Sequence, residues 1–195
     1  LATSDEQEIL SHYVGWGGIP QAFDENNNEW TKEYSELKNL LTEKEYNAAR
    51  GSTLNAHYTS PMVIRSMYET LERIGFSKGN ILEPSCGTGN FFGMLPESMN
   101  QSKLYGVELD SITGRIAKQL YQKADITIDG YERAKYPDNF FDVAVGNVPF
   151  GSYSVVDGEH KYNQENFKIH DYFFAKTLDK VRPGGVVAFI TSKGT

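Results

Sequence analysis

The feature that most constrains this chain is a change of hydrophobic period that repeats from residue 58 onward. Short apolar runs of strand length alternate with stretches whose apolar residues recur at helical spacing. "N-I-L-E-P", "L-Y-G-V-E-L", "D-I-T-I-D", "F-D-V-A-V-G-N" and "G-V-V-A-F-I-T-S" read as strands. "N-F-F-G-M-L" reads as a short helix. "S-I-T-G-R-I-A-K-Q-L-Y" reads as a helix with Ile112, Ile116 and Leu120 aligned. "H-D-Y-F-F-A-K-T-L-D-K-V" reads as another, with Phe174, Leu178 and Val181 inward. One more helix precedes the first strand: Ser60 fits its N-cap, Pro61 its first turn, and Val63, Met67, Leu71 and Ile74 its apolar face before Gly75 ends it. Such alternation predicts an α/β fold with a mostly parallel sheet flanked by helices, and ligands at the carboxyl ends of its strands.

Residues 1–57 differ in character and are expected to form a helical N-terminal extension. "E-I-L-S-H-Y-V" places Ile9, Leu10, Tyr13 and Val14 on one helical face, and "G-W-G-G-I-P" then breaks the helix. Thr42 and Glu45 form a capping-box pattern, with Gly51 where a C′ residue would stand. Trp16 and Trp30 read as packing anchors. Leu1 at the start, and the abrupt end "F-I-T-S-K-G-T" just after a strand, suggest a piece of a longer protein.

The net charge of −7 argues against a surface that grips nucleic acid over its whole extent. The single cysteine, Cys86, excludes an intramolecular disulfide framework and a Cys-rich zinc site. The four histidines lack metal-ligand spacing, so no metal is expected. No apolar run is long enough to span a bilayer and no signal-peptide pattern opens the chain, which points to a cytoplasmic protein without membrane contact. The oligomeric state is not legible.

Three stretches carry chemistry. "L-E-P-S-C-G-T-G-N-F" joins a strand to a helix, and Gly87 and Gly89 let the backbone turn tightly beside a ligand. The next glycine is Gly93, a spacing that disfavours a dinucleotide fingerprint, and Glu83 favours a cationic or hydroxyl-bearing ligand over a pyrophosphate. Glu108 ends the following strand, 19 positions after Gly89, where an acid can take both hydroxyls of a ribose; Asp110 fits the N-cap of the next helix. These two stretches establish only a nucleoside-type cofactor. The third, "G-N-V-P-F-G", sets a polar Asn147 at the end of an apolar strand, followed by Val148, Pro149 and Phe150.

Taken in order, these stretches resemble the S-adenosylmethionine-dependent N6-adenine DNA methyltransferases in which cofactor motifs precede the catalytic motif. With "Y-V-G-W-G-G-I-P-Q-A-F-D-E", the chain also resembles the methylase region of large methylase–helicase proteins of mobile elements and phages. The resemblance implies a class I, Rossmann-like methyltransferase core over 58–195, ending before any target-recognition domain. It implies S-adenosyl-L-methionine as cofactor and DNA as partner, held mainly by regions outside this chain. Tyr58, Thr59 and Pro61 match the motif against the methionine part of the cofactor. Glu83, Pro84, Cys86, Gly87 and Gly89 match the loop beneath it. Glu108 matches the ribose ligand and Leu109 the residue near the adenine. Asn147, Val148, Pro149 and Phe150 match the catalytic tetrapeptide.

The chain departs from the family pattern twice. Val148 stands where proline is usual, and "I-D-G-Y-E" offers either Asp129 or Tyr131 to the cofactor adenine. The expected reaction is methyl transfer to the N6 amine of adenine. The same Asn-x-Pro-aromatic site also serves enzymes acting on a protein glutamine amide or an RNA guanine amine. A non-catalytic cofactor-binding or DNA-docking module is the remaining reading.

Overall fold

The computed structural model describes residues 1–53, 59–163 and 165–191. Tyr58, and with it the expected boundary at 57/58, lies outside the described residues. Among those described are seven α-helices: α1 (Ser4–Ser11), α2 (Thr31–Leu40), α3 (Glu43–Ser52), α4 (Pro61–Arg73), α5 (Asn90–Gly93), α6 (Ser111–Leu120) and α7 (Ile169–Lys180). Five strands, β1 (Asn80–Glu83), β2 (Lys103–Glu108), β3 (Asp125–Ile128), β4 (Phe141–Asn147) and β5 (Val181–Ile190), form one sheet in the order β3-β2-β1-β4-β5. Every pairing is parallel.

The order explains where a ligand can sit. The chain starts at the centre with β1, winds outward to β3, then returns to the other side of β1 as β4. Helices following β1 and β4 therefore leave in opposite directions, opening a crevice at the carboxyl ends of these two strands. Side chains alternate across each strand. Ile81, Val143 and Val145 pack with Ile64, Tyr68 and Leu71 of α4. Their neighbours Leu82 and Ala144 face the opposite way, against Tyr172 and Phe173 of α7. Cys86, Phe92, Ala117 and Ile126 form a further cluster under α6. Each large apolar side chain buried in these layers contributes roughly 1.5–3 kcal/mol.

The N-terminal segment has its own small core of Ala22, Phe23, Tyr46 and Ala49, joined by Trp16 and Trp30. Thr42 and Glu45 complete their capping box. The segment docks on α6 through polar contacts: Ala2 N–H to Gln119 Oε1 (2.7 Å), Gln7 Nε2 to the Gln119 carbonyl (2.6 Å), and Arg115 with Glu45 (2.9 Å).

Several local expectations are corrected. Helix α1 buries none of its residues, and Ile9 and Val14 are exposed, because its attachment is polar. Gly51 lies inside α3. The inner face of α4 is Ile64, Tyr68 and Leu71, while Val63 and Ile74 are exposed. On α6 the buried residues are Thr113, Gly114 and Ala117.

In α7, Leu178 is exposed and Val181 belongs to β5. The inner face instead includes Lys176 and Lys180. Strand β5 also begins earlier than its apolar run: Phe141 pairs with Val181, then the register slips so that Val143 pairs with Val186. The extra residues bulge out at Gly184, whose φ of +78° suits glycine.

The 151–167 segment has no helix or strand among its described residues, yet it is anchored. Asp157 is fully buried and accepts from Lys176 Nζ at 2.8 Å and from the Tyr172 hydroxyl. Tyr162 donates to Asp179 Oδ2 at 2.8 Å, and the Ile169 N–H to the Tyr153 carbonyl at 2.8 Å.

Candidate active site

The carboxyl ends of β1, β2 and β4 deliver Glu83, Glu108 and Asn147 to one cavity of about 240 Å³. Its wall also holds Thr59, Pro84, Cys86, Gly87, Leu109, Asp129, Tyr131 and Pro149. Gly89, Pro61, Val148 and Phe150 are not part of that wall. Gly89 serves packing: its φ is +88°, and a Cβ there would lie 2.4 Å from the Tyr121 ring. Pro61 starts α4.

Glu108 is held by two backbone donors. The Gly87 N–H reaches its Oε2 at 2.9 Å, and the Asp110 N–H reaches its Oε1 at 2.8 Å. Gly87 can present that N–H because it adopts a φ of +54°. Each carboxylate oxygen keeps a further lone pair, so the pair can accept two hydroxyls side by side. Burial drives the Glu108 pKa up to about 7, against the pull of those two N–H groups.

Glu83 is also buried, and its Oε2 has no hydrogen-bond partner among the described residues. Burial, then the nearby Glu108, push its carboxyl well above the usual range. An orphaned acid on a cavity wall suits a cationic group. Burial and these two acids also push the Cys86 thiol up, which makes it a small packing group and not a nucleophile.

Asp110 caps α6 by accepting from the Ile112 and Thr113 N–H groups at 3.3 and 3.2 Å. Asp129 and Tyr131 both reach the wall but sit in different surroundings. The Asp129 carboxylate is partly exposed and is shared with Arg133 and the Gly130 N–H. Tyr131 is buried, and its hydroxyl meets Thr177 Oγ1 at 3.0 Å.

Val148 is buried in the core beside α7, and its N–H donates to the Ile190 carbonyl at 3.2 Å. Proline there would forfeit this bond to β5. Val148→Pro is therefore expected to destabilise the fold by about 1 kcal/mol or somewhat more, as read by urea unfolding, while cofactor binding persists.

Residues 40–195 match the N-6 DNA methylase family model. The chain belongs to the N-6 DNA methylase family. It is 28% identical over 190 residues to the defense against restriction protein B of Escherichia phage P1, covering 96% of this chain and 7% of that protein. It is 26% identical over 171 residues to the modification methylase CviBIII of Paramecium bursaria Chlorella virus NC1A, covering 85% of this chain and 43% of that methylase. The chain thus spans less than half the length of both relatives.

Among solved structures, a Listeria monocytogenes protein assigned to the class I S-adenosylmethionine-dependent methyltransferases superposes with a TM-score of 0.59 at 18% identity, over 95% of this chain and 67% of that one. A modification subunit assigned to a type I restriction enzyme of Vibrio vulnificus YJ016 gives 0.52 at 20% identity, over 82% and 38%. The class I fold of this N-6 DNA methylase chain is thereby established, and S-adenosyl-L-methionine is its cofactor. The cavity fits that group: Glu108 offers acceptors for a ribose diol, and Glu83 offers an unpartnered acceptor for an ammonium.

Several wall residues were given no ligand-binding role by the sequence: Gly15, Trp16, Thr113, Glu132, Tyr153 and Phe173. Only the clustering of glycines around Trp16 hinted that its backbone does something unusual.

The pKa of Glu108 yields a prediction of opposite sign for stability and binding. A carboxyl raised from 4.5 to about 7 stabilises the free protein fully below pH 4.5, and this contribution is lost as pH rises through about 7. A ribose diol is accepted best by the carboxylate, so calorimetry should show cofactor affinity rising as pH climbs, by up to about tenfold per unit below pH 7. Glu108→Gln should raise the melting temperature near pH 8 and abolish this pH dependence together with tight binding.

Proposed function

We propose that this chain is the methyl-transfer module of a DNA methyltransferase that modifies the exocyclic N6 amine of adenine. The observation that carries the reading is Asn147 at the carboxyl end of β4, on the same cavity wall as Glu83 and Glu108 and followed by Pro149. Bound S-adenosylmethionine supplies an electrophilic methyl group on a sulfonium centre.

The protein's task is to make a poor nucleophile attack. The lone pair of an adenine amine is delocalised into the ring. The Asn147 side-chain carbonyl and the Val148 main-chain carbonyl accept its two N–H groups and draw the nitrogen toward a tetrahedral shape. Pro149 biases Val148 toward extended backbone angles, which keeps that carbonyl in position. Phe150 stacks on a base flipped out of the duplex. Thr59 and Glu83 hold the methionine part of the cofactor, Glu108 the ribose, and Leu109 with Asp129 the adenine. Asp129 is the better candidate than Tyr131, whose hydroxyl is committed to Thr177.

Residues 1–57 form the extension and 58–195 the methyltransferase core. The net charge of −7 suits a module whose DNA grip lies elsewhere in a longer protein. This chain alone is expected to bind S-adenosylmethionine by calorimetry and to methylate DNA weakly. Transfer from labelled cofactor by the full-length protein, offered DNA, RNA and protein, tests the substrate. Label on RNA or protein but not DNA overturns the proposal.

A further inference from the structure

Trp16 comes from the N-terminal extension, yet with Gly15 it lines the cofactor cavity beside Glu108, Leu109 and Thr113. Its indole is tied into the core: Nε1 donates to Asp110 Oδ2 at 3.1 Å. Asp110 is fully buried, caps α6, and through its own N–H orients Glu108. The indole also meets Tyr13 and Phe23 in T-shaped contacts, with ring centroids 6.2 and 5.6 Å away. Gly15 takes a φ of +72°, which sets the turn presenting the indole. The ring remains only partly buried, on a wall to which the extension otherwise adds only Gly15 and Ser52 among the described residues.

We propose that Trp16 is a cofactor-binding residue contacting the nucleoside half of S-adenosylmethionine, so that docking of the extension and cofactor binding reinforce one another. The inference rests on the cavity being the cofactor site. The nucleoside half is indicated by position. Trp16 attaches at the carboxyl end of β2, whereas Asn147 ends β4, and β1 lies between these strands. A flat indole beside a diol-accepting acid suits a nucleoside. The coupling follows from the hydrogen bonds: Trp16 holds Asp110, and Asp110 holds Glu108.

The chain has two tryptophans, so Trp30→Phe leaves Trp16 as the sole indole reporter. Titrating this variant with S-adenosylmethionine and S-adenosylhomocysteine should change its emission saturably, with the midpoint that calorimetry gives. Methionine alone should leave the emission unmoved. Trp16→Ala should weaken cofactor binding roughly tenfold, within the range of a base–aromatic contact, and Trp16→Phe should fall between. Circular dichroism melts establish that both variants fold, and Trp16→Phe keeps an apolar ring should the alanine form fail. Calorimetric binding without an emission change, or Trp16→Ala binding like the parent, overturns the role of Trp16 alone. Absence of cofactor binding by the parent overturns the cofactor reading and this inference together.

Discussion

Asn147→Ala in the full-length protein is expected to lower the rate of adenine methylation by about two to three orders of magnitude, the usual loss when one preorganised dipole is removed from a transition state. Cofactor affinity should change little. The reason lies in what the side chain is asked to do. Asn147 ends β4, paired there with Ile190 of β5, so its backbone is fixed by the sheet. In the proposed role its carbonyl bonds the amine most strongly as positive charge develops on nitrogen, which makes it an interaction of the transition state and not of substrate binding. Single-turnover measurement with labelled cofactor separates the two. A fall in the chemical step with unchanged cofactor affinity supports catalysis at Asn147. Equal, negligible methylation by parent and variant would instead favour a non-catalytic docking module.

The neighbouring Val148 shows how far the sequence could be read. From sequence, valine in place of proline added an N–H in need of a partner. The structure supplies one, the Ile190 carbonyl, because β5 lies alongside β4 in parallel register. No local pattern encodes that, since the partner stands 42 residues away. The sheet itself was legible because a parallel core demands uninterrupted apolar strands, and the acids at the strand ends interrupt those runs visibly. The faces of the helices were less legible. Helix α7 was oriented by Phe174 and Leu178, yet its inner face carries Lys176 and Lys180, whose burial depends on acids at 138, 157 and 159. Periodicity counts apolar residues and is blind to a lysine whose partner arrives from a distant loop. Trp16 packs in the small core of the extension as expected, but its place on the cavity wall was not legible for a related reason: the cavity is built mostly by another part of the chain.

Those buried lysines set the second large effect. Lys176→Met is expected to destabilise the fold by about 3–5 kcal/mol, the usual consequence of stranding one member of a buried ion pair. Lys176 Nζ donates to Asp157 Oδ2 and to the Tyr131 carbonyl, each at 2.8 Å, and lies 5.0 Å from the centroid of the Tyr131 ring. Both charged residues are almost wholly excluded from water. Without the ammonium, Asp157 keeps the Tyr172 hydroxyl and the Glu159 N–H but no countercharge. Burial opposes the charge on Asp157, yet bonds from Lys176 and Tyr172 prevail and hold its carboxyl below the ordinary aspartate range. The parent pair should therefore persist down to pH 3.8 and fail only as pH falls below it. Adding Asp157→Leu to Lys176→Met should recover much of the loss, because the double replacement strands no charge; urea unfolding of the four proteins in the cycle measures this. Equal losses in single and double variants would mean that packing, and not the charge pair, anchors the segment. The consequence reaches function because the anchored segment places Tyr153 and Val155 on the cavity wall, and Lys176 also braces Tyr131 there. Lys176→Met should thus weaken cofactor binding as well, even at temperatures where the sheet remains folded, since loosening this segment removes one side of the pocket before the core melts.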